Sequence, residues 1–166
     1  MRIWAAVQIN LTRIDLVVVG SLGDAYVDAV ADYERRLGRY VKLHVHELRG
    51  EALQRGDAHV LQAEGAKLLA ALDTIERATA GPTTVIALDR TGELQSSREL
   101  AQKLLATAHL CLVIGGAAGI SAEVLARCTS RISLGKVTLP HQLARLVLTE
   151  QLYRAFRIAK NEPYHH

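Results

Sequence analysis

Apolar and polar positions along the chain switch repeatedly between a strand-like and a helix-like period. "IDLVVVG" (14–20) is an unbroken β-branched run ending at Gly20, the pattern of a strand buried on both faces. In "DAYVDAVADYERRLGR", Tyr26, Val30, Tyr33 and Leu37 recur at helical spacing, with Asp24 placed to cap the helix. "VKLHVHEL" (41–48) alternates Val41, Leu43 and Val45 against Lys42, His44 and His46, a half-exposed strand. Residues 57–78 predict a long helix rich in Ala and Leu. "TTVIALD" (83–89) is a second buried strand, entered through Gly81-Pro82 and left through a turn at "RTGE". A helix over 96–108, capped by Ser96 or Ser97, leads to a strand at 110–114. A short helix after Ser121, a brief strand near 131–133, an ordered loop and a helix from about 142 to 160 complete the chain.

This alternation predicts an α/β fold, with a mostly parallel sheet and helices on both faces. The 166 residues hold no internal repeat and no linker, so one domain is expected. Aromatic residues make up only 4%, which leaves the core to Leu, Val, Ile and Ala. Cys111 and Cys128 stand in apolar settings without CxxC spacing, as buried free thiols do. No apolar run approaches the roughly 20 residues of a membrane span, and "MRIWAAVQINLTRID" lacks the long apolar centre of a secretory signal. A reduced, cytoplasmic protein is expected.

The net charge is a modest +3, but its distribution is uneven. Between residues 131 and 160, Arg131, Lys136, Arg145, Arg154, Arg157 and Lys160 face Glu150 alone. A second cluster, Arg35, Arg36, Arg39 and Lys42, contains no acid. Both suit a polyanionic partner, and both also suit plain solvated faces. His44 and His46, alternating on a strand, have no third ligand in view and read as solvent-exposed, with no metal expected.

Ligands of open α/β sheets bind beyond the carboxyl ends of the strands, here at Asp89, Gly115 and Leu134. "LVIGGAAGIS" (112–121) is a strand that empties into glycines, yet it lacks the spacing of GxGxxG, and no acid follows at a strand end about 20 residues later. A dinucleotide-dependent dehydrogenase is therefore disfavoured, and the absence of GxxxxGK[ST] excludes a P-loop. Two readings remain: a tight turn that binds nothing, or a backbone cradle for a flat heterocycle or charged cofactor.

"SLGKVTLPH" (133–141) is too apolar for an ordinary surface loop and too broken for a strand, so it must pack against the glycine loop or a ligand. Pro140 punctuates the entry to the last helix. That helix is apolar on two sides, Leu143, Val147 and Phe156 on one and Leu148, Leu152, Ala155 and Ala159 on the other. One side can cover its own sheet, and the other calls for a partner such as a second subunit. The tail "NEPYHH" adds an aromatic and two imidazoles.

"ALDRTGELQSSRELA", "LVIGGAAGIS", "SLGKVTLPHQLARLVLTEQLYRAF" and "NEPYHH", with "DYERRL" and "AEGAKLLAAL", resemble in order and spacing the RlmH family of small bacterial ribosomal RNA methyltransferases. The resemblance covers roughly residues 14–166 and is most specific in the C-terminal half. Residues 1–13 precede the usual start of the family and read as an extension to a single domain over 14–166.

The resemblance implies a SPOUT-class fold with a C-terminal trefoil knot that binds S-adenosylmethionine. It also implies a homodimer that methylates N3 of a pseudouridine in 23S rRNA on the assembled ribosome. By matched motif, the cofactor pocket is lined by Leu88, Gly115, Leu134, Gly135, Lys136, Val137, Thr138 and Leu139. The imide N3–H must lose its proton, so a base or a charge stabiliser is required. The catalytic candidates are Arg154, Glu150, Tyr164 and His165, with Arg154 orienting the base or stabilising its anion. Glu150 is placed to orient Arg154 at i and i+4. Arg35, Arg36, Arg39 and His141 are the candidate RNA contacts. The rivals are another knotted methyltransferase acting on a tRNA or a ribose hydroxyl, and a non-catalytic ribosome-binding homologue.

Overall fold

The computed structural model describes residues 6–164. Five strands form one sheet in the order β2-β1-β4-β3-β5, and every pairing is parallel. They are β1 (Arg13–Val19), β2 (Lys42–Leu48), β3 (Thr84–Leu94), β4 (His109–Ile114) and β5 (Ser130–Ser133). The helices are α1 (Asp24–Leu37), α2 (Asp57–Arg77), α3 (Ser97–Leu105), α4 (Ala122–Arg127) and α5 (His141–Ala159), with a short 3₁₀ turn at Leu53–Arg55.

The run at 14–20 is β1, the run at 83–89 opens β3, and the strand expected at 110–114 is β4. Flanked by β2 and β3, β1 and β4 are neighbours inside the sheet. Their period-2 alternation supplies two cores. Ile14, Leu16 and Val18 pack with Leu110, Leu112 and Ile114 under α1, α3 and α5. Val17 and Val19 pack with Cys111 and Val113 under α2 and α4. Helices thus cover both faces, as a parallel sheet requires. Ser96 caps α3 in a full capping box with Glu99, which fixes that helix's start.

β3 runs further than its sequence pattern suggested. "RTGE" does turn, with Asp89 Oδ1 accepting the Thr91 N–H at 2.8 Å, but the chain bulges and returns to the strand. Leu88 and Glu93 both pair with Ile132 across this register shift. Gly92 permits it, because a Cβ there would lie 2.5–2.7 Å from the Ile132 backbone. The residues read as an N-terminal extension are also partly integrated. Leu11 is buried, and Asn10 N–H donates to the Leu105 carbonyl at 2.9 Å.

After β5, at the sheet's edge, the chain crosses the exits of β3 and β4 to reach β1. There the His141 imidazole fills the space that Gly20 leaves, a Cβ on Gly20 lying 2.9 Å from its Nε2. The Gly23 N–H donates to Gln142 Oε1 at 2.7 Å. α5 then runs back between α1 and α3. Phe156, grouped by pattern with Leu143 and Val147, belongs instead to the buried face with Leu148, Leu152 and Ala155. Leu143 and Val147 stay half-buried. Arg145 is buried as well, held by Glu47 at 2.6 Å and Glu34 at 3.0 Å, so it leaves the basic surface that the sequence suggested.

His46 is not simply solvent-exposed. At the amino ends of the central strands, Asp15 is fully buried and accepts hydrogen bonds from Arg13 Nε, His46 Nε2 and His109 Nε2, each at 2.7 Å. Thr83 Oγ1 stands 2.9 Å from the other nitrogen of His109. Burial alone pushes the Asp15 carboxyl up, but the hydrogen bonds from Arg13, His46 and His109 outweigh it and hold the group at about 2. A carboxyl depressed by folding stabilises the protein above its unfolded value and loses that contribution as pH falls towards the folded one. Asp15→Ala is therefore expected to cost about 3 kcal/mol near neutral pH by chemical denaturation, since it strands the buried His109 and removes the bonds from the partly exposed Arg13 and His46. The gap to the unsubstituted protein should narrow by about 2 kcal/mol between pH 4 and pH 2.

Candidate cofactor pocket and a separate arginine–tyrosine cluster

A cavity of about 480 Å³ opens at the carboxyl ends of β3, β4 and β5. It falls in the size range of small-molecule sites. Of the eight residues expected around a cofactor, Leu88, Gly115, Leu134, Gly135, Val137, Thr138 and Leu139 line it. Lys136 does not; it is exposed outside the lining, where its ammonium stays hydrated. His141, expected to contact RNA, lines the cavity instead, because the side-chain-free Gly20 admits its ring at the start of α5.

Asp89, named from the sequence as a strand exit, also borders the space, together with Arg90, Ile114, Ile120 and Ala144, which the motifs did not single out. Arg90 and Ile114 adjoin the expected strand exits, a signal that was present. Ala144 comes only from how α5 docks.

Two loops shape the cavity. In the glycine loop a Cβ on Gly115 would collide with the Gly119 carbonyl and with Ile120 at 2.7 Å, so the chain doubles back only if residue 115 has no side chain. Gly116 and Gly119 form a bridge across that reversal, and Gly119 has φ +92°, which favours glycine. Ser121 then caps α4, its hydroxyl facing the Val124 N–H. In the second loop, Ser133 Oγ donates to the Gly135 carbonyl at 2.8 Å, turning the chain at the exit of β5. Val137, a large apolar side chain, remains 70% exposed at the cavity. The walls are thus aliphatic side chains with loop amides and carbonyls between them. That set fits an adenine ring, which offers flat apolar faces and hydrogen-bonding edges. Apart from the exposed Arg90 there is no guanidinium or ammonium in the lining to hold a phosphate.

The catalytic candidates gather elsewhere. Arg154 donates to Glu150 Oε1 from Nη2 at 2.6 Å and from Nε at 3.0 Å. The Tyr164 hydroxyl donates to the same oxygen at 3.1 Å and stands 3.2 Å from the Tyr33 hydroxyl. The Arg154 guanidinium lies 4.9 Å above the Tyr164 ring, a cation–π contact. Burial, then the hydrogen bond with Tyr33, then the Glu150 charge push the Tyr164 phenol well above its ordinary value, which keeps it a neutral hydroxyl that donates to Glu150. His165 lies outside the described residues.

The tail is drawn into place by Tyr40, whose hydroxyl donates to Glu162 at 2.9 Å, and by the Arg157–Glu162 pair at 2.8 Å. Tyr153 packs edge-on against Tyr164 at 5.0 Å. Ala144 borders the cavity, and Arg154 is ten residues further along α5, about 15 Å at 1.5 Å per residue. Within one chain the cofactor candidates and the catalytic candidates are therefore separate.

The RNA candidates adjoin the second cluster. Arg36 lies over the rings of Tyr33 and Tyr153 at 5.5 and 5.7 Å. The apparent lack of an acid near Arg35 and Arg36 is corrected by Asp32, one turn earlier on α1, which pairs with both. Arg39 and Arg35 are exposed. Both cysteines are free, Cys111 buried and Cys128 half-buried, and burial pushes each thiol upward. Among the described residues, no group of three or more His, Cys, Asp or Glu could hold a metal, and no helix is long and apolar enough to cross a membrane.

Comparisons with known proteins agree with this architecture. A family model described as predicted SPOUT methyltransferase matches residues 12–165. The chain is 40% identical to a Clostridium novyi protein named ribosomal RNA large subunit methyltransferase H, covering 92% of this chain and 99% of that one. A Listeria monocytogenes protein of the same name is 44% identical with the same coverage. Among solved structures, a probable methylase family protein from Haemophilus influenzae superposes with a TM-score of 0.53 over 95% of this chain and 71% of the other. At 18% identity, that match supports the fold alone. By sequence and fold, this chain belongs to the SPOUT methyltransferase family, in the group of ribosomal RNA large subunit methyltransferases H.

Proposed function

We propose that this protein methylates N3 of a pseudouridine in 23S rRNA on the assembled ribosome. On this reading it works in the cytoplasm as a homodimer with S-adenosylmethionine as donor. The relatives' names supply the ribosomal RNA substrate class, and the aliphatic, amide-lined cavity suits the donor's adenosine. The crossing of the chain over the β3 and β4 exits before α5 accords with the knot expected of the family.

One observation carries the dimer: the Arg154 cluster stands about 15 Å along α5 from the cavity of its own chain. A complete site then takes the cavity from one subunit and Arg154, Glu150 and Tyr164 from the other. The half-buried Leu143 and Val147 on α5 give the subunits an apolar surface to share.

In that site the bound donor supplies the electrophilic methyl group. The Arg154 guanidinium orients the pseudouridine and stabilises the imide anion as N3 gives its proton to solvent water, and the anion then takes the methyl group. Glu150 fixes the guanidinium plane through two hydrogen bonds to one oxygen. Tyr164, kept protonated, holds that same oxygen and closes over the base. The exposed Arg35 and Arg39 extend the cation surface towards phosphates.

Mass spectrometry of 23S rRNA from a deletion strain, with and without the protein restored, tests the target. Loss of one methylated pseudouridine on deletion is expected, and an unchanged nucleotide overturns the reading. A change in tRNA or at a ribose would favour another knotted methyltransferase. Absence of any heat with S-adenosylmethionine in calorimetry would favour a non-catalytic homologue.

The composite site has its own test. Arg154→Ala should lower kcat by about 10²–10³-fold, and Gly115→Val should abolish cofactor binding. Co-expressed as mixed dimers, the two variants should recover activity through the one intact site that each mixed dimer contains, whereas a site built within one chain recovers none. Arg35→Glu with Arg39→Glu should weaken ribosome binding while the cofactor Kd stays unchanged; a parallel loss of both would refute the separate RNA role.

A further inference from the structure

Two consecutive residues of α2 brace the glycine loop from behind. A Cβ on Gly65 would lie 2.6 Å from Ser121 Oγ, so the helix backbone touches the residue that caps α4. At the loop's other end, a Cβ on Gly116 would lie 2.6 Å from Glu64 Oε2. Gly116 lines the cavity and Glu64 does not, so the carboxylate stands on the far side of a backbone that carries no side chain.

Glu64 is 3% exposed. Its Oε1 accepts the Glu51 N–H at 2.9 Å, while Oε2 has no hydrogen-bond partner among the described residues. The nearby Lys67 does not neutralise it, because that ammonium is taken by Glu51 Oε1 at 2.5 Å and the Arg49 carbonyl at 2.8 Å. A buried carboxylate with an unpaired oxygen is costly to keep. Packing against Gly116 and accepting one N–H needs only an amide of the same shape. What the carboxylate adds is negative charge aimed at the loop.

We propose that Glu64 is a positioning residue whose charge acts through the Gly116 backbone to favour a cationic ligand in the cavity over its neutral counterpart. The inference rests on the cofactor reading above. S-adenosylmethionine carries a sulfonium, and S-adenosylhomocysteine, left after methyl loss, is neutral and otherwise of the same shape. Glu64 thereby biases the site towards donor and against product, a discrimination that the aliphatic walls cannot make.

Calorimetry of the full-length protein with each ligand tests this. In Glu64→Gln, S-adenosylhomocysteine should bind within about twofold of the unsubstituted protein, while S-adenosylmethionine weakens roughly tenfold, as expected for one unscreened charge across a loop. Equal weakening of both ligands, or an unchanged ratio, reduces Glu64 to packing and overturns the proposal. Glu64→Asp gives an independent reading: it keeps the charge and loses the contact, so both affinities should fall with their ratio preserved. A collapsed ratio in Glu64→Asp overturns the proposal even if Glu64→Gln does not fold. Failure of the unsubstituted protein to bind either ligand removes the cofactor reading itself, and this inference with it.

Discussion

α5 is the constraint on which the arrangement of function depends. Its Leu148, Leu152, Ala155 and Phe156 are sunk into the core beneath β1 and β4, so the helix cannot slide or tilt without opening that core. One end of it closes the cavity with His141 and Ala144, and Arg154 stands further along towards the other end. A 19-residue helix is about 28 Å long, and that rigid length holds the two sets of functional groups apart within a chain. In the proposed homodimer, bringing them together is a matter of assembly rather than of local motion.

The same helix explains why the basic residues do not act as a simple patch. Arg145 is consumed in tying α5 to α1 and β2 through Glu34 and Glu47. Arg157 is paired with Glu162, and Arg36 lies against tyrosine rings. Charges that a linear count treats as alike are divided by burial into structural ties and solvent-facing cations. Coulomb energy in a desolvated pair far exceeds that of an exposed one, and this decides which residues remain as solvent-facing cations.

The ends of the sheet are specialised in opposite ways. At the amino ends, Asp15 with Arg13, His46 and His109 forms a saturated polar knot in which each carboxylate oxygen is engaged. At the carboxyl ends, backbone groups of the glycine loop and of the 133–140 loop surround a cavity, and Glu64 behind them keeps an oxygen without a partner among the described residues. A fully satisfied network fixes structure, while an incompletely satisfied one leaves a field for a ligand to meet.

The sequence by itself determined the element types, the parallel sheet with helices on both faces, and the two loops that border the cavity. Runs such as "DLVVV" and the glycines after "LVI" are local signals, readable because strand burial and backbone reversal depend on neighbouring residues. The motifs "TLPH" and "NEPYHH" carried the family resemblance because they are short residue strings read in order. Only the tertiary structure decided that "RTGE" bulges and rejoins β3, that His141 faces the cavity, and that Asp32 pairs with the α1 arginines. It also separated Arg154 from the residues lining the cavity and set Glu64 behind Gly116. These depend on contacts between segments far apart in the chain, whose distances are set by how helices of fixed length pack on a sheet, and no local pattern of residues encodes that.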